Sequence, residues 1–229
     1  MAEAQAPVIT VDGPTASGKG AVAAQLARRL GWHYLDSGAL YRLVALQALN
    51  QAVPLDDEQA LARIARDLPV VFDGERTLLA GRDVSNAIRE QSVGNTASRI
   101  AVFQAVRQAL LARQQAFRQA PGLVADGRDM ASVVFTDAGL KVFLTAAVAT
   151  RAQRRYKQLI EKGFSANLMD LRRDLESRDA RDANRRVAPL KPCEDSVTID
   201  SSHMDLESVI ASVVQLAIDA GLVEQSDQG

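Results

Sequence analysis

The residues with the plainest chemical potential form one run near the start of the chain, Gly13-Pro14-Thr15-Ala16-Ser17-Gly18-Lys19. The run fits the pattern G-x-x-x-x-G-K and lies between a strand-like and a helix-like segment, where that pattern requires it. Its glycines let backbone N–H groups turn towards a phosphate, the helix start adds partial positive charge, and Lys19 supplies an ammonium. An ordinary tight turn beside an unrelated lysine would not need this context. The run therefore predicts a loop that binds the phosphates of a nucleoside triphosphate.

The residue after Lys19 bears on whether the protein itself supplies a ligand to a metal ion. Many such loops continue with Ser or Thr, whose hydroxyl holds Mg²⁺, whereas here the next residue is Gly20. Because Mg²⁺ gives up its water reluctantly, we expect triphosphate oxygens and water to hold it, with no metal ligand from the protein. Cys193 is the only cysteine, which excludes an internal disulfide and a thiolate metal site and favours a reducing compartment.

Ser37 and Arg42 are candidates for contact with a second substrate. They follow the second strand-like segment, and the carboxyl ends of strands in a parallel sheet face the ligand crevice. A helix cap by Asp36 or Ser37 together with a solvated arginine explains the same residues equally well.

Two further candidates lie in the middle of the chain. Arg107 has the apolar neighbours Phe103, Leu110 and Leu111 at helical spacing, so its guanidinium either reaches to water, the commoner case, or awaits an anion. Asp126-Gly127-Arg128-Asp129 ends the third strand-like segment at the same sheet edge. The alternative for that turn is a polar loop whose charges pair with one another.

Two stripes of charge follow in the second half of the chain. One combines Arg151, Arg154 and Arg155, and the other combines Arg178, Asp182 and Arg185, with Arg181 beside it. Each stripe shares one helical face by its spacing, and such a stripe taken alone is more often a solvated face. Together they bracket residues 161–171, which contain Gly163 and fit a mobile lid that closes over phosphates and excludes water.

The elements that must position these residues alternate between strands and helices. We predict strands at residues 8–12, 32–35, 122–126, 141–144 and 197–200, and helices at 18–30, 39–50, 100–119 and 205–220. Short buried strands separated by helices imply a parallel sheet covered on both faces, because parallel strands need crossover connections. The fold class is therefore α/β with a five-stranded parallel sheet.

One stretch breaks this alternation and defines the domain organisation. Two β-rich runs at 69–73 and 77–80, separated by Gly74, Glu75 and Arg76, predict a hairpin. We expect a single unit over 1–229, with a core at 8–62, 96–155 and 186–222, a small antiparallel insert at 63–95, a lid at 156–185 and a frayed tail at 223–229.

The bulk charge limits the possible partners. The chain has 27 basic and 28 acidic residues, so no global positive field draws it to nucleic acid or to an anionic membrane. Residues 1–7 lack the pattern of a secretory leader, and no later segment approaches the roughly 20 apolar residues of a membrane span. We expect a cytoplasmic protein and a monomer, with nucleotides as its partners.

The motifs together resemble the bacterial cytidylate kinases. The resemblance rests on Val8-Ile9-Thr10-Val11-Asp12-Gly13-Pro14, Leu35-Asp36-Ser37-Gly38, Ala125-Asp126-Gly127-Arg128-Asp129-Met130, and the Arg178-Asp179 and Arg181-Asp182-x-Asn184-Arg185 groups. It implies the P-loop nucleoside monophosphate kinase fold, with the insert as the monophosphate-binding region. It also implies ATP as phosphoryl donor with Mg²⁺, and CMP or dCMP as acceptor.

Carried over motif by motif, the resemblance implies three groups of site residues. The residues expected to bind ATP are Gly13, Pro14, Thr15, Ala16, Ser17, Gly18, Lys19, Gly20, Ala21 and Arg155. Those expected to contact the monophosphate, its sugar or its cytosine are Ser37, Arg42, Ser98, Arg107, Arg128, Asp129, Arg178, Asp182 and Arg185. Those expected to stabilise the transferring phosphoryl group are Lys19, Arg154 and Arg181.

One residue departs from the family pattern, which usually has Thr where this chain has Ala21. We expect weaker binding of the donor by roughly one hydrogen bond, about 1 kcal/mol, rather than loss of activity. Two other functions compete with cytidylate phosphorylation: a P-loop kinase for another small acceptor, such as a different monophosphate or shikimate, and a nucleotide-binding regulator without activity. The insert and Asp129 argue against the former, and the two arginine stripes argue against the latter.

Overall fold

The computed structural model describes residues 5–73, 76–161, 163 and 165–224. Four expectations fall at least partly outside these residues: the turn of the hairpin at Gly74 and Glu75, the first residues of the amino terminus, part of the lid at 162 and 164, and the frayed tail from 225 onwards. Of the tail, Val223 and Glu224 alone are described.

The described residues form eight strands and eight α-helices. The strands are β1 (Val8–Asp12), β2 (His33–Asp36), β3 (Val70–Asp73), β4 (Arg76–Leu79), β5 (Arg82–Asp83), β6 (Leu123–Gly127), β7 (Leu140–Thr145) and β8 (Val197–Asp200). The helices are α1 (Lys19–Leu30), α2 (Ser37–Asn50), α3 (Glu58–Arg66), α4 (Gln91–Ile100), α5 (Gln104–Gln115), α6 (Val148–Glu161), α7 (Leu168–Ala183) and α8 (Leu206–Asp219). A short 3₁₀ turn at Ala87–Arg89 and a π-helical turn at Met130–Val134 complete the set.

The chain divides into two compact units. Unit 1 comprises Met1–Leu35 and Phe117–Gly229, and unit 2 comprises Asp36–Ala116. Unit 1 thus contains the phosphate loop, the Asp126–Asp129 turn and both arginine stripes, whereas unit 2 contains the insert.

A five-stranded parallel sheet in the order β2-β6-β1-β7-β8 is the centre of unit 1. β1 lies in the middle, where Ile9 is opposite Val124 of β6 and Leu140 of β7. Val8 and Ile9 point to opposite faces and both are fully buried, so the strand is covered on its two sides. The carboxyl ends of β1, β6 and β7 therefore meet at one edge, where the phosphate loop and the Asp126–Asp129 turn lie.

Apolar side chains of α1 and α8 cover one face of this sheet. Val22 and Leu26 of α1 pack with Ile210 and Val213 of α8 in a cluster that also takes in the inward side chains of the central strands. α1 ends at Gly31, which adopts the left-handed conformation that a helix C-terminus favours. This packing fixes the axis of α1 and with it the direction in which its amino terminus points.

Unit 2 is built from helices with a small sheet. α3 packs against α5 and α2 packs against α4, while β3, β4 and β5 form an antiparallel sheet in that order. The predicted hairpin is confirmed, and β5, α3 and α4 are elements that the sequence pattern did not predict. Asp57 caps α3 by accepting a hydrogen bond from the Ala60 N–H.

The predicted fold class, a parallel five-stranded α/β sheet flanked by helices with a small antiparallel insert, is confirmed. The predicted helix at 100–119 is wrong in its bounds, because residues 101–103 form a turn between α4 and α5 and α5 ends at Gln115. The turn contains no glycine or proline, so nothing in the local sequence marks it. The five predicted sheet strands lie within two residues of their observed bounds.

Candidate active site

The phosphate loop connects β1 to α1 through backbone conformations that few residues adopt. A Cβ at Gly13 would lie 2.0 Å from the carbonyl oxygen of Leu144, so only glycine fits there. Gly18 has φ of 95° and Ala16 has φ of 63°, both in the left-handed region. The loop thus reaches the amino terminus of α1 by a tight path, as the motif predicts, and aims the helix start at the space above the sheet.

Lys19 is the first residue of α1, and an acidic group at the end of β6 holds its ammonium nearby. The Lys19 Nζ lies 3.9 Å from an Asp126 carboxylate oxygen, and the Tyr34 hydroxyl donates to the other oxygen at 3.2 Å. A Cβ at Gly20 would come within 3.4 Å of the same carboxylate. The carboxylate therefore holds the ammonium beside the loop.

An open cleft of about 560 Å³ adjoins the loop on the side of α8. The loop and first turn of α1, from Ala16 to Val22, form one wall, and Arg154, Ser201 and Met204 lie on the other. Backbone N–H groups at a helix start and cationic side chains suit an anionic ligand of nucleotide size.

Arg154 lines this cleft, but its guanidinium is engaged with the protein. It donates to the Ser17 carbonyl at 3.1 Å and to the Ser201 carbonyl and hydroxyl at 2.6 and 3.1 Å. The Ser201 hydroxyl in turn donates to the Thr145 carbonyl. Arg154 thus ties the phosphate loop to the segment between β8 and α8.

Arg155 and Arg181, the other two arginines expected near the donor, differ from Arg154 in their surroundings. Arg155 is half-buried, and burial lowers the pKa of its guanidinium. Within the described part of the chain it makes no hydrogen bond or ion pair. Arg181 donates to the carbonyl of Ser177 one turn earlier in α7. Their predicted roles towards the donor stay predictions.

Arg128 joins the sheet edge to the phosphate loop and to α7. Its Nε donates to Asp182 at 2.9 Å, and its Nη2 donates to the Thr15 hydroxyl at 2.7 Å. Asp129, the next residue, is buried. The Asp126–Asp129 turn is therefore not a polar loop paired only with itself, because its arginine reaches two other elements of unit 1.

A buried carboxylate at the end of β1 holds the segment after Asp129. Asp12 accepts hydrogen bonds from the N–H groups of Met130 and Ala131 at 2.9 and 2.8 Å. Burial raises the pKa of Asp12 to about 6, because it outweighs the two amide hydrogen bonds, which act in the opposite direction. One side chain directly before the phosphate loop thus fixes the start of the π-helical turn that follows the Arg128-Asp129 pair.

Arg151 is almost wholly buried, with an exposed fraction of 3%. Its Nη1 donates to the Thr15 carbonyl at 3.0 Å, and Nη1 and Nη2 form a two-point contact with the Asp179 carboxylate at 3.2 and 2.5 Å. Its Nε donates to the Ala146 carbonyl. The interpretation of its stripe as a solvated face fails for this residue.

The predicted acceptor residues of α7 and its end are buried together. Arg178, Asp182 and Arg185 are each at most 8% exposed, and the Arg185 Nη2 lies 4.0 Å from an Asp182 oxygen. The structure thus brings Asp182 and Arg185 next to Arg128, as expected for one binding surface.

The remaining predicted acceptor residues lie in unit 2. Ser37 is buried in the first turn of α2, which Asp36 caps, and Arg42 donates to the Ile88 carbonyl at 2.8 Å. Arg107 is buried rather than extended to water and contacts the Ala101 carbonyl. The Ser98 hydroxyl is buried, and no described residue offers it a hydrogen bond. The helix-cap and site interpretations of Ser37 are thus both compatible with its position.

Metal ligands do not cluster among the described residues. No group of three or more His, Cys, Asp or Glu side chains stands close enough together there to ligate a metal ion. None of the described helices combines the length and apolarity that a membrane crossing requires.

Four residues of this neighbourhood receive no role from the sequence: Asp12, Tyr34, Asp179 and Ser201. For Asp12 a signal existed, since a carboxylate that ends a mostly apolar strand just before a phosphate loop must be buried or functional. Tyr34, Asp179 and Ser201 act through partners more than 25 positions away, and no local pattern marks such pairs.

Comparison with known proteins gives a consistent match along the chain. The family model described as cytidylate kinase matches residues 9–219. A protein named cytidylate kinase from Bordetella pertussis is 61% identical over 209 residues, which are 91% of this chain and 94% of the relative. A cytidylate kinase from Ralstonia pickettii is also 61% identical, over 91% of this chain and 90% of its own. The crystal structure of TT1252 from Thermus thermophilus is 20% identical, with a TM-score of 0.43 over 93% of this chain and 98% of its own.

Proposed function

This chain belongs to the cytidylate kinase family, and with that membership as the premise we propose how its residues perform the reaction. The chain transfers the γ-phosphoryl group of ATP to CMP or dCMP and so produces ADP and CDP or dCDP. It is a phosphotransferase whose acceptor is itself a phosphate group. It carries the nucleoside monophosphate kinase fold.

One contact carries the proposed arrangement of the two substrates. Arg128, a residue of the proposed acceptor surface, donates to the hydroxyl of Thr15 in the phosphate loop at 2.7 Å. Donor cradle and acceptor surface of unit 1 are therefore adjacent through a direct hydrogen bond. Transfer between two bound phosphates requires such proximity, because alignment of the reacting groups supplies much of the rate.

The donor binds, in this proposal, in the loop from Gly13 to Ala21 and the cleft beside it. Backbone N–H groups of the loop bind the β- and γ-phosphates, and Lys19 places its ammonium on the outer oxygens. Arg155 has a half-buried charge without a protein counterion among the described residues, which supports its contact with the donor. Mg²⁺ neutralises part of the triphosphate charge while phosphate oxygens and water hold it.

Several arginines are the proposed contacts of the acceptor monophosphate. Arg128, Arg178 and Arg185 with Asp182 are the proposed contacts in unit 1. Ser37, Arg42 and Arg107 are the proposed contacts in unit 2. Burial of Arg107 supports the second group, because a buried guanidinium has surrendered most of its hydration and gains more from a bound anion.

Asp129 and Ser98 are proposed to identify the base. Cytosine presents an amino group where uracil presents a carbonyl oxygen, so a reader of cytosine needs a hydrogen-bond acceptor at that place. Asp129 is a buried carboxylate that meets this need, and Arg128 and Ser98 complete the polar pattern. The Ser98 hydroxyl, which finds no partner among the described residues, supports a role towards a ligand.

Charge stabilisation rather than proton transfer drives the proposed chemistry. The attacking oxygen of a nucleoside monophosphate is already anionic, so no general base is needed. Lys19, Arg154 and Arg181 are the proposed cations that stabilise the spread charge of the transferring group. The lid at 156–185 is proposed to close over the phosphates and keep water from taking the phosphoryl group. We also propose that the enzyme acts in the cytoplasm as a monomer.

A coupled assay of ADP release tests the function directly. The protein is given ATP, Mg²⁺ and one of CMP, dCMP, UMP, AMP or shikimate. CMP and dCMP are expected to support turnover well above AMP and shikimate, and release without an acceptor is expected to be negligible. Activity with another acceptor but not with CMP would contradict the assignment, and binding of ATP without any turnover would favour the regulator.

A further inference from the structure

Thr15 accepts hydrogen bonds from two arginines, and both arginines form ion pairs with aspartates of the same helix. Its carbonyl accepts from Arg151 and its hydroxyl accepts from Arg128. Arg151 pairs with Asp179 and Arg128 pairs with Asp182, and these aspartates are three residues apart, on one face of α7. The phosphate loop is thus attached to α7 at a single residue by two arginine–aspartate pairs.

The Arg151 contact determines how one peptide of the loop is turned. The carbonyl of Thr15 and the N–H of Ala16 belong to the same planar peptide and point in opposite directions. A carbonyl held outward by Arg151 therefore leaves the Ala16 N–H on the phosphate side. Ala16 itself has φ of 63°, a conformation that costs a non-glycine residue free energy and persists only under restraint.

Few other contacts restrain that peptide. The hydrogen bond from the Ser17 N–H to the Pro14 carbonyl, which spans the same turn, is long at 3.4 Å. Arg151 by contrast is buried, and Asp179 holds its guanidinium at two points, the geometry in which an arginine is most firmly oriented. The pair is therefore a firmer restraint on that peptide than the Ser17–Pro14 hydrogen bond is.

We propose that Arg151 and Asp179 are positioning residues for phosphoryl transfer, which keep the Thr15–Ala16 peptide in the orientation that binds the donor phosphates. Neither residue touches a substrate in this arrangement: Arg151 acts through the Thr15 carbonyl, and Asp179 acts through Arg151. The proposal rests on the proposed function in that the bound phosphates are those of ATP. It adds a link by which the helix that bears the acceptor residues also sets the shape of the donor loop.

The competing explanation is a purely structural ion pair between α6 and α7. Loss of one partner would then lower stability without any effect on the affinity of the folded protein for ATP. Replacement of both partners by apolar residues separates these cases, because a buried ion pair can often be replaced in that way with little loss of stability. The Thr15 carbonyl would still lose its donor.

The test compares Asp179→Asn, the double variant Arg151→Met with Asp179→Leu, and the control Glu176→Gln. Glu176 pairs with Arg172 at 2.9 Å on the exposed face of α7 and has no link to the loop. Equilibrium binding of ATP, and separately of CMP, is measured by calorimetry, and the melting temperature of each variant is recorded. Asp179→Asn and the double variant are expected to raise the Kd for ATP about tenfold, the loss typical of a charged hydrogen bond.

The control is expected to leave the Kd for ATP within about twofold of the wild-type value. The Kd for CMP is expected to change far less than that for ATP in all variants. If Asp179→Asn does not fold, the double variant decides the question by itself. An unchanged Kd for ATP in either folded variant, with or without a lower melting temperature, would overturn the proposal.

Failure of this proposal is distinguishable from failure of the proposed function, because binding of ATP is measured without an acceptor. A wild-type protein that binds ATP but does not phosphorylate CMP would contradict the function alone. The Asp179 variants would still report on the loop in that case.

Discussion

The phosphate loop and the arginine region of α6 and α7 are both proposed to serve phosphate chemistry, yet they are built differently. The loop is proposed to act through its backbone, where Gly13, Ala16 and Gly18 have positive φ angles. The α6–α7 region acts through long side chains, and Arg151 and Arg154 donate hydrogen bonds to protein oxygens rather than extending into solvent. The loop therefore depends on the space around its backbone and on its backbone conformations, whereas the arginine region depends on hydrogen bonds and ion pairs of its side chains.

The largest effect is expected from a single methyl group added to the loop. Gly13→Ala would place a Cβ 2.0 Å from the Leu144 carbonyl oxygen, so loop and β7 must separate. We expect kcat/KM for ATP to fall by at least about a hundredfold, as for removal of a key electrostatic donor. Steady-state kinetics with saturating CMP measures it.

Gly31→Ala is the matched control for that substitution. Gly31 also has a left-handed backbone, but a methyl group placed there would meet no atom within 4 Å, so the cost is conformational, about 1 kcal/mol of stability. Its kinetic constants should match those of the wild type. Equal kinetic damage from the two substitutions would show that the loop does not depend on the space at Gly13.

Asp12 tests the comparison further, because its side chain accepts hydrogen bonds from the backbone of another segment. Its folded-state pKa of about 6 exceeds the ordinary value of 3.8, so between these values the folded protein binds a proton that the unfolded chain has lost. The resulting stability is complete below pH 4 and is lost as the pH rises through 6. Relative to Asp12→Asn, the wild type should lose about 2 kcal/mol of unfolding free energy between pH 4 and 7, at about 1.4 kcal/mol per pKa unit, because part of the full difference lies below pH 4.

Urea denaturation of both proteins across that pH range measures this difference. Asp205→Asn supplies a control of opposite sign, since hydrogen bonds from Ser208 lower the pKa of the Asp205 carboxyl. The stability that Asp205 contributes is present above its ordinary pKa of 3.8 and is lost only as the pH falls below that value, so the difference between wild type and Asp205→Asn should be nearly flat from pH 4 to 7. A stability difference between wild type and Asp12→Asn that stays flat from pH 4 to 7 would contradict the raised pKa.

The smallest effect is expected at Ala21, where the family usually has Thr. This residue lies in the exposed first turn of α1 and lines the cleft, where a hydroxyl would reach a donor phosphate. Ala21→Thr is expected to lower the KM for ATP by about fivefold, equivalent to one hydrogen bond of about 1 kcal/mol. Ala21→Val has nearly the same shape without the hydroxyl and should leave the KM for ATP unchanged. Equal KM values for Ala21→Thr and Ala21→Val would show that the hydroxyl does not contribute to binding of ATP.

The sequence was sufficient for the sheet because each of its strands has an unambiguous local pattern. The apolar run at 8–12 before a glycine-rich turn, and the four later runs between helical segments, match β1, β2, β6, β7 and β8 closely. The division between α4 and α5 was not predictable in this way. The turn at 101–103 has the composition of a helix, so its conformation is decided by packing rather than by propensity.

The candidate site was predictable where function resides in consecutive residues and not where it resides in pairs. The loop and Lys19 follow from one motif. Arg151 and Arg155 are of the same type and lie four residues apart in α6, yet one is buried against Asp179 and the other is half-buried without a described partner. Helical spacing places both on one face but cannot state which distant carboxylate each will meet.

The central place of β1 in the sheet has a consequence for the time order of synthesis. β1 and the phosphate loop leave the ribosome before the other elements of the sheet, and both sheet neighbours of β1 begin more than 110 residues later. At roughly 5–20 residues per second, on the order of ten seconds pass before β6 can pair with β1. Unit 2, a continuous stretch, is completed in that interval. The phosphate loop therefore gains its last contacts late in synthesis, when Ser201 becomes available to donate to the Ser17 carbonyl.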